Sequence, residues 1–322
     1  MIFFSDGGLP LGSLCLIEED VYGSYARIVT KYFLAEGVLK KNFLLSASLN
    51  ESPWDLVNSL PSPSNEVKEA ASILENKEEL KIAWRYENLS LEDPPERMGI
   101  AFDLSTPYCL TESQKSNVVV FDDSKVSKKE LKGTYKNPWG MGFIETVGDA
   151  INKWKLDSGS NNLLRIVVSS FGSPYWQFDD AKLSTDFTTT LLLLKALVRS
   201  ANAVAVVTVP HQLLDDALVG RSRSIADVVL RLKSLREDPY LQDLMDVHGI
   251  LEMKKMTNLT SLKPLLGQDG TTTYGFKVTK RKFKIEKLHL PPALEQEKSA
   301  ASGAQSTTGC GSTSSSKSNL DF

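Results

Sequence analysis

Short, mostly apolar runs alternate along the chain with longer stretches in which apolar residues recur every three or four positions. The short runs lie at 14–17 (Leu-Cys-Leu-Ile), 42–47, 118–121, 163–171 and 203–209. Runs of this length read as strands buried on both faces. Helical spacing occupies 22–37, where Ile28, Tyr32 and Ala35 share a face and Gly37 reads as the stop. It returns at 141–154 and at 184–200, the latter with Ser184 as the expected N-cap. Short helices are expected at 52–60 and 64–79 around a Pro61-Ser62-Pro63 break, and a strand at 80–86. Further strands are expected at 226–232, 248–253 and 276–290. Strand, helix, strand in succession predicts a mostly parallel sheet flanked by crossover helices, an α/β fold.

Composition sets the boundaries. With 41% hydrophobic and 24% charged residues over 322 positions, the chain can bury a sizeable core. Residues 87–98 are acidic and carry Pro94-Pro95, so they read as a surface loop; 122–138, rich in Lys, Asp and Ser, reads as an exposed insertion. Residues 299–318 are almost all Ser, Thr, Gly and Ala, too little apolar surface to offset the entropy of ordering. The expected organisation is one domain over 1–294 and a flexible, disordered tail over 295–322. The most apolar stretches, 191–198 and 203–209, fall far short of the roughly 20 residues that span a bilayer, so no membrane partner is expected. Cys15, Cys109 and Cys310 are far apart, with no CxxC pair and no Cys/His cluster. That argues against a disulfide scaffold and against a metal site, and fits a reducing compartment.

Charge narrows the partners. A net charge of −3 excludes a protein held to nucleic acid by overall basicity. One local exception stands out: Lys277, Lys280, Arg281, Lys282, Lys284 and Lys287, interleaved with Phe276, Phe283, Ile285 and Leu288. This run is either a phosphate-tracking surface or an edge strand blunted by lysine. Lys280, Arg281, Lys282 and Lys284 are the candidate RNA contacts.

Phosphate chemistry is suggested by position and opposed by residue type. Gly7 to Gly12 has the Gly-x4-Gly spacing of a Walker A loop, but Ser13-Leu14 follows where Lys and Ser or Thr are required, and the turn precedes a strand. The strand-to-helix segment is 18–25, Glu-Glu-Asp-Val-Tyr-Gly-Ser-Tyr, where a phosphate cradle would lie. Glu19, Gly23 and Ser24 mark this degenerate nucleotide position. Three carboxylates crowd it, no lysine appears until Lys31, and the acidic loop is expected to face a neighbouring subunit or solvent. The run 163–171 ends in Ser169-Ser170 without an acid at its tip; Asp179 and Asp180 come later. No Gly-x-Ser-x-Gly elbow occurs, and His211, His248 and His289 read as structural. No catalytic residue and no intrinsic cofactor follow from these motifs.

The glycine turn, apolar strand and acidic strand–helix loop resemble the start of RecA/KaiC-type ATPase domains. The words Leu16-Ile17-Glu18-Glu19-Asp20-x-Tyr22-Gly23-x-Tyr25, Lys31-Tyr32-Phe33-Leu34-Ala35-Glu36-Gly37 and Lys81-Ile82-Ala83-Trp84-Arg85-Tyr86 are more specific. With Leu164-Arg165-Ile166, Gly172-Ser173-Pro174-x-Trp176, Leu288-His289-Leu290-Pro291-Pro292 and the terminal Leu320-Asp321-Phe322, they resemble the PAXNEB family, the fourth subunits of Elongator. Family members carry a further N-terminal stretch, whereas here six residues precede Gly7, so the resemblance implies a chain lacking that stretch. It further implies a RecA-like domain with a degenerate P-loop, joined in a hetero-hexameric ring with the fifth and sixth Elongator subunits. The ring meets the catalytic half of the complex, binds tRNA and supports 5-carboxymethyl-type modification of wobble uridine. ATP is implied only at ring interfaces, the location is cytoplasmic and nuclear, and older associations link the family to histone acetylation and transcription elongation. The expected role is a non-catalytic accessory subunit. The alternatives are a RecA/KaiC-like NTPase completed at subunit interfaces and a RecA-fold scaffold unrelated to tRNA.

Overall fold

The computed structural model describes residues 8–64, 101–126, 137–157, 163–178, 183–256 except 237, 239, 241, 243 and 244, and 272–288. The chain divides into two units, Met1–Lys287 and Leu288–Phe322, and every element below lies in the first. In chain order these are β1 (Leu14–Glu18), α1 (Ser24–Leu39), β2 (Phe43–Ala47), α2 (Pro53–Asn58), β3 (Pro61–Pro63), β4 (Phe102–Pro107), α3 (Glu112–Ser116), β5 (Val118–Phe121), α4 (Pro138–Asp157), β6 (Leu164–Val168), α5 (Leu183–Arg199), β7 (Ala203–Val209), α6 (Asp216–Ile225), β8 (Val228–Ser234), β9 (Gly249–Met256), β10 (Thr273–Val278) and β11 (Phe283–Lys287).

Nine strands form one sheet in the order β11-β10-β9-β8-β1-β7-β6-β2-β5. From β8 to β5 all neighbours run parallel, as crossover helices require. Beyond β8 the sheet continues through antiparallel pairings to β9, β10 and β11. Alternation along β1 splits its side chains between two cores: Leu14 and Leu16 pack with Phe143, Leu191 and Val198 of α4 and α5, while Cys15 and Ile17 pack with Val29, Phe33 and Leu34 of α1. Both faces of β1 are thus apolar, and burial pushes the Cys15 thiol up to about 12. A mostly parallel α/β sheet is what the sequence pattern predicts.

Several details differ. Gly37 does not stop α1; it lies inside the helix, where an added Cβ would come within 2.6 Å of Leu44 Cδ2 and 2.8 Å of Arg165 Cδ. The chain turns instead at Lys40 and Lys41, the latter at φ 55°. Ser184 lies within the first turn of α5 rather than capping it, and its Oγ accepts from Arg221. The Pro61–Pro63 break forms a short strand paired with β4. Part of the expected insertion at 122–138 is not exposed: Asn137 is buried, accepts from Gly140 N at 2.7 Å and donates to the Gln177 carbonyl at 3.2 Å. The expected strand 276–290 folds back as a hairpin, with Thr279 and Lys282 bonded across its turn. Helix α6 went unpredicted because only Leu218, Val219 and Ser222 are buried in its polar sequence. The expected helix from 65 on, the strand at 80–86, the loop at 87–98, most of 122–138, Asp179, Asp180, His289, Cys310 and the tail at 295–322 lie outside the described residues.

Candidate functional site

The chain leaves β1 through α1 toward β2, yet leaves β7 through α6 toward β8 on the opposite side of β1. This reversal between β1 and β7 is the place where open α/β sheets form a crevice at the C-terminal strand ends. A cleft of about 530 Å³ lies there, walled by Glu19, Gly23, Arg27, Glu51, Ser170 and Thr208 among others. Among the described residues no helix is long and apolar enough to cross a membrane, and no group of three His, Cys, Asp or Glu could hold a metal.

Three successive carboxylates at the end of β1 are buried, not solvated as one expectation had it. Each has its own partners. Glu18 receives Arg223 through Nε at 2.5 Å and Nη2 at 3.0 Å, with Arg231 Nε at 3.7 Å. Arg231 Nη2 in turn lies 3.0 Å from His211 Nε2. Burial, then the charge of Arg231, holds the His211 imidazole below its ordinary range. Glu19 accepts from Thr208 Oγ1 at 2.5 Å and Ser170 Oγ at 2.9 Å. Burial pushes its carboxyl up, and these two hydrogen bonds offset only part of the rise.

Asp20 fills the place a phosphate would take. Its Oδ1 accepts from the backbone N–H of Tyr25 at 3.0 Å and of Ala26 at 3.2 Å; its Oδ2 accepts from Ser24 N and Ser24 Oγ, both at 3.2 Å. These are first-turn N–H groups of α1, which have no partner within the helix. Gly23 enters the helix at φ 65°, and a Cβ on it would stand 3.3 Å from Glu19 Oε2. Arg27, the cation lining the cleft, is held in a two-point pair by Glu51, at 3.0 and 2.9 Å. At the tip of β6, Ser170 sits where a magnesium-binding acid would, and donates to Glu19 instead. The residues present do not fit a nucleotide triphosphate: its anion would meet Glu19 and Glu51 and a helix terminus already held by Asp20.

The two sets of sequence candidates lie apart. Glu19, Gly23 and Ser24 meet at the cleft. Lys280 and Arg281 are exposed in the β10–β11 turn, Lys282 is half-buried there, and Lys284 is exposed on β11. Arg281 Nε stands 4.0 Å from Asp103 Oδ2. The interleaved aromatic residues turn inward: Phe276 stacks on Phe283 at 5.2 Å and meets Tyr25 at 4.7 Å, so they pack the core rather than offer faces to bases. His248 is structural, accepting from Val278 N through Nδ1 at 2.8 Å. Sequence reading missed Arg223, Arg231, Thr208 and the Arg27–Glu51 pair, whose partners lie far off in the chain. Asp20 was legible in principle, being an acid just ahead of a helix start.

A parallel sheet with β1 between β8 and β7, and a cleft at its C-terminal end where α1 begins, defines a RecA-like α/β domain. A family model described as PAXNEB protein matches residues 5–322, and the chain belongs to that family. It is 32% identical to Elongator complex protein 4 of Xenopus laevis, over 98% of the chain and 86% of that protein. It is 31% identical to Elongator complex protein 4 of Mus musculus and 30% identical to that of Homo sapiens, in each case over 98% of the chain and 82% of the relative.

Proposed function

We propose that the chain is a non-catalytic, ring-forming subunit of Elongator, assembling with the fifth and sixth subunits and supporting tRNA wobble-uridine modification through tRNA binding. The observation that carries the reading is Asp20: the anion site at the start of α1 is filled by the chain's own carboxylate. Such a domain offers surfaces rather than reacting groups. Val21, Tyr22 and Leu213 stand 55%, 65% and 61% exposed around the cleft mouth, which suits a face covered by a neighbouring subunit. The proposed location is cytoplasm and nucleus, and any ATP would be bound at interfaces that other subunits complete.

The test is co-expression with the fifth and sixth Elongator subunits, followed by light scattering, tRNA binding and ATP turnover. A six-subunit mass that binds tRNA, with no turnover by the isolated chain, is the expected result. Turnover by the isolated chain that falls in Glu19→Ala or Ser24→Ala would replace this reading with an NTPase. Intact wobble-uridine modification in cells lacking the protein would leave a scaffold unrelated to tRNA.

A further inference from the structure

Helices cover both faces of the parallel strands, but among the described residues one face of the antiparallel strands β9–β11 joins no apolar core. On β8–β11, Leu230, Leu232, Leu251, Phe276 and Ile285 point toward α1 and its core. The opposite face carries Arg231 and Lys233 of β8, Glu252 of β9, Lys277 of β10, and Lys284 and Glu286 of β11. Pairing sets these in rows: Arg231 opposite Glu252, Lys233 opposite Ile250, Lys277 opposite Lys284.

Two features of this face stand out. Lys277 and Lys284 stand directly opposite each other, a like-charge pairing that costs stability. Asp246 answers Lys277, while Lys284 and Lys233 have no ion pair among the described residues. Glu252 is paired with Lys254 at 2.6 Å and faces further cations: against burial, Lys254, Arg231 and Lys233 hold its carboxyl below the usual range. Cations therefore outnumber anions on an open surface of a protein whose net charge is −3. Strands lie about 4.8 Å apart and same-face residues about 6.8 Å apart along each, so the lysines form a grid about 14 Å wide. At about 3.4 Å of helix axis per phosphate, such a grid spans several phosphates of one strand.

We infer that the open face of the β8–β11 extension, with Lys233, Lys277 and Lys284 at its centre, is the chain's contact surface for the RNA phosphate backbone. Its contacts are to phosphates and not to bases, since no aromatic side chain of the hairpin faces that way. The inference rests on the tRNA reading above and moves the contact from the turn at Lys280 and Arg281 to the sheet face beside it.

The assembly with its fifth and sixth subunits is titrated with a fluorescein-labelled synthetic tRNA anticodon stem-loop at several salt concentrations. Lys233→Ala and Lys284→Ala should each lower the slope of log affinity against log salt by about one, and the double charge reversal to Glu should weaken binding on the order of a hundredfold. Lys280→Glu and Arg281→Glu should change affinity less than threefold, and thermal unfolding of every variant confirms folding. Loss of binding in the turn variants alone, or none in the face variants, overturns the inference and leaves the tRNA reading standing. Failure of the unaltered assembly to bind RNA overturns both. Capture by phosphatidylserine vesicles that depends on the same lysines, without RNA binding, would assign the face to membranes and overturn it too.

Discussion

The end of β1 and the open face of the β8–β11 extension both concentrate charge, yet they treat it oppositely. At the end of β1, three adjacent carboxylates are buried and each is answered from within the chain: Glu18 by Arg223, Glu19 by Thr208 and Ser170, Asp20 by the start of α1. On the open face, neither Lys233 nor Lys284 has an ion pair among the described residues, and Lys233 shares the charge of Glu252 with Lys254 and Arg231. Charge that the fold itself consumes is structural, however suggestive its position. Charge the fold leaves over is available to a partner. Position alone would have pointed the other way, because the carboxylates sit where phosphate chemistry belongs and the lysines look like a blunted edge.

The contrast can be broken by substitution. Arg223→Ala leaves a fully buried Glu18 with only the longer contact to Arg231 and should cost about 3 kcal/mol in denaturant unfolding. A cost under about 1 kcal/mol would mean that Glu18 is not held as described. Asp20→Ala uncovers three first-turn N–H groups of α1 and should cost about 2 kcal/mol, with Asp20→Asn recovering part of it. Glu19→Gln should act in the other direction. Its carboxyl titrates above the ordinary 4.5, so the folded state holds that proton more tightly than the unfolded chain. Its contribution is complete below pH 4.5 and fades as pH rises through the raised folded value. The Gln variant should therefore gain stability at neutral pH and lose that slope of stability against pH; an unchanged slope would show that Glu19 is ionised in the fold. Lys284→Ala should leave stability within about 0.5 kcal/mol of the parent, since only the opposition to Lys277 is relieved. A larger loss would make that lysine structural and erase the difference between the two regions.

Much of the cleft was legible before any coordinates. The run at 203–209 is β7, as its pattern predicts, because seven positions of almost unbroken Ala and Val ended by Pro210 admit little else. The place between β1 and α1, and the absence of Lys there, were equally plain. Gly37 misled because a glycine that admits Leu44 and Arg165 looks locally like one that ends a helix. The basic run was legible as an alternation but not as a shape: Phe276, Phe283 and Ile285 alternate with lysine because the segment is a hairpin with two faces.

Local pattern by itself determined the α/β class, most of the parallel strands and the loss of phosphate-binding residue types, since those follow from burial periodicity and side-chain chemistry within a few positions. Tertiary structure decided which charges are spent. Glu18 meets Arg223 across 205 positions of chain and Glu19 meets Thr208 across 189, and no short-range pattern carries pairings of that span. It also decided which face of the antiparallel extension stays open, because a strand's alternation states that its two faces differ but not which one the helices cover.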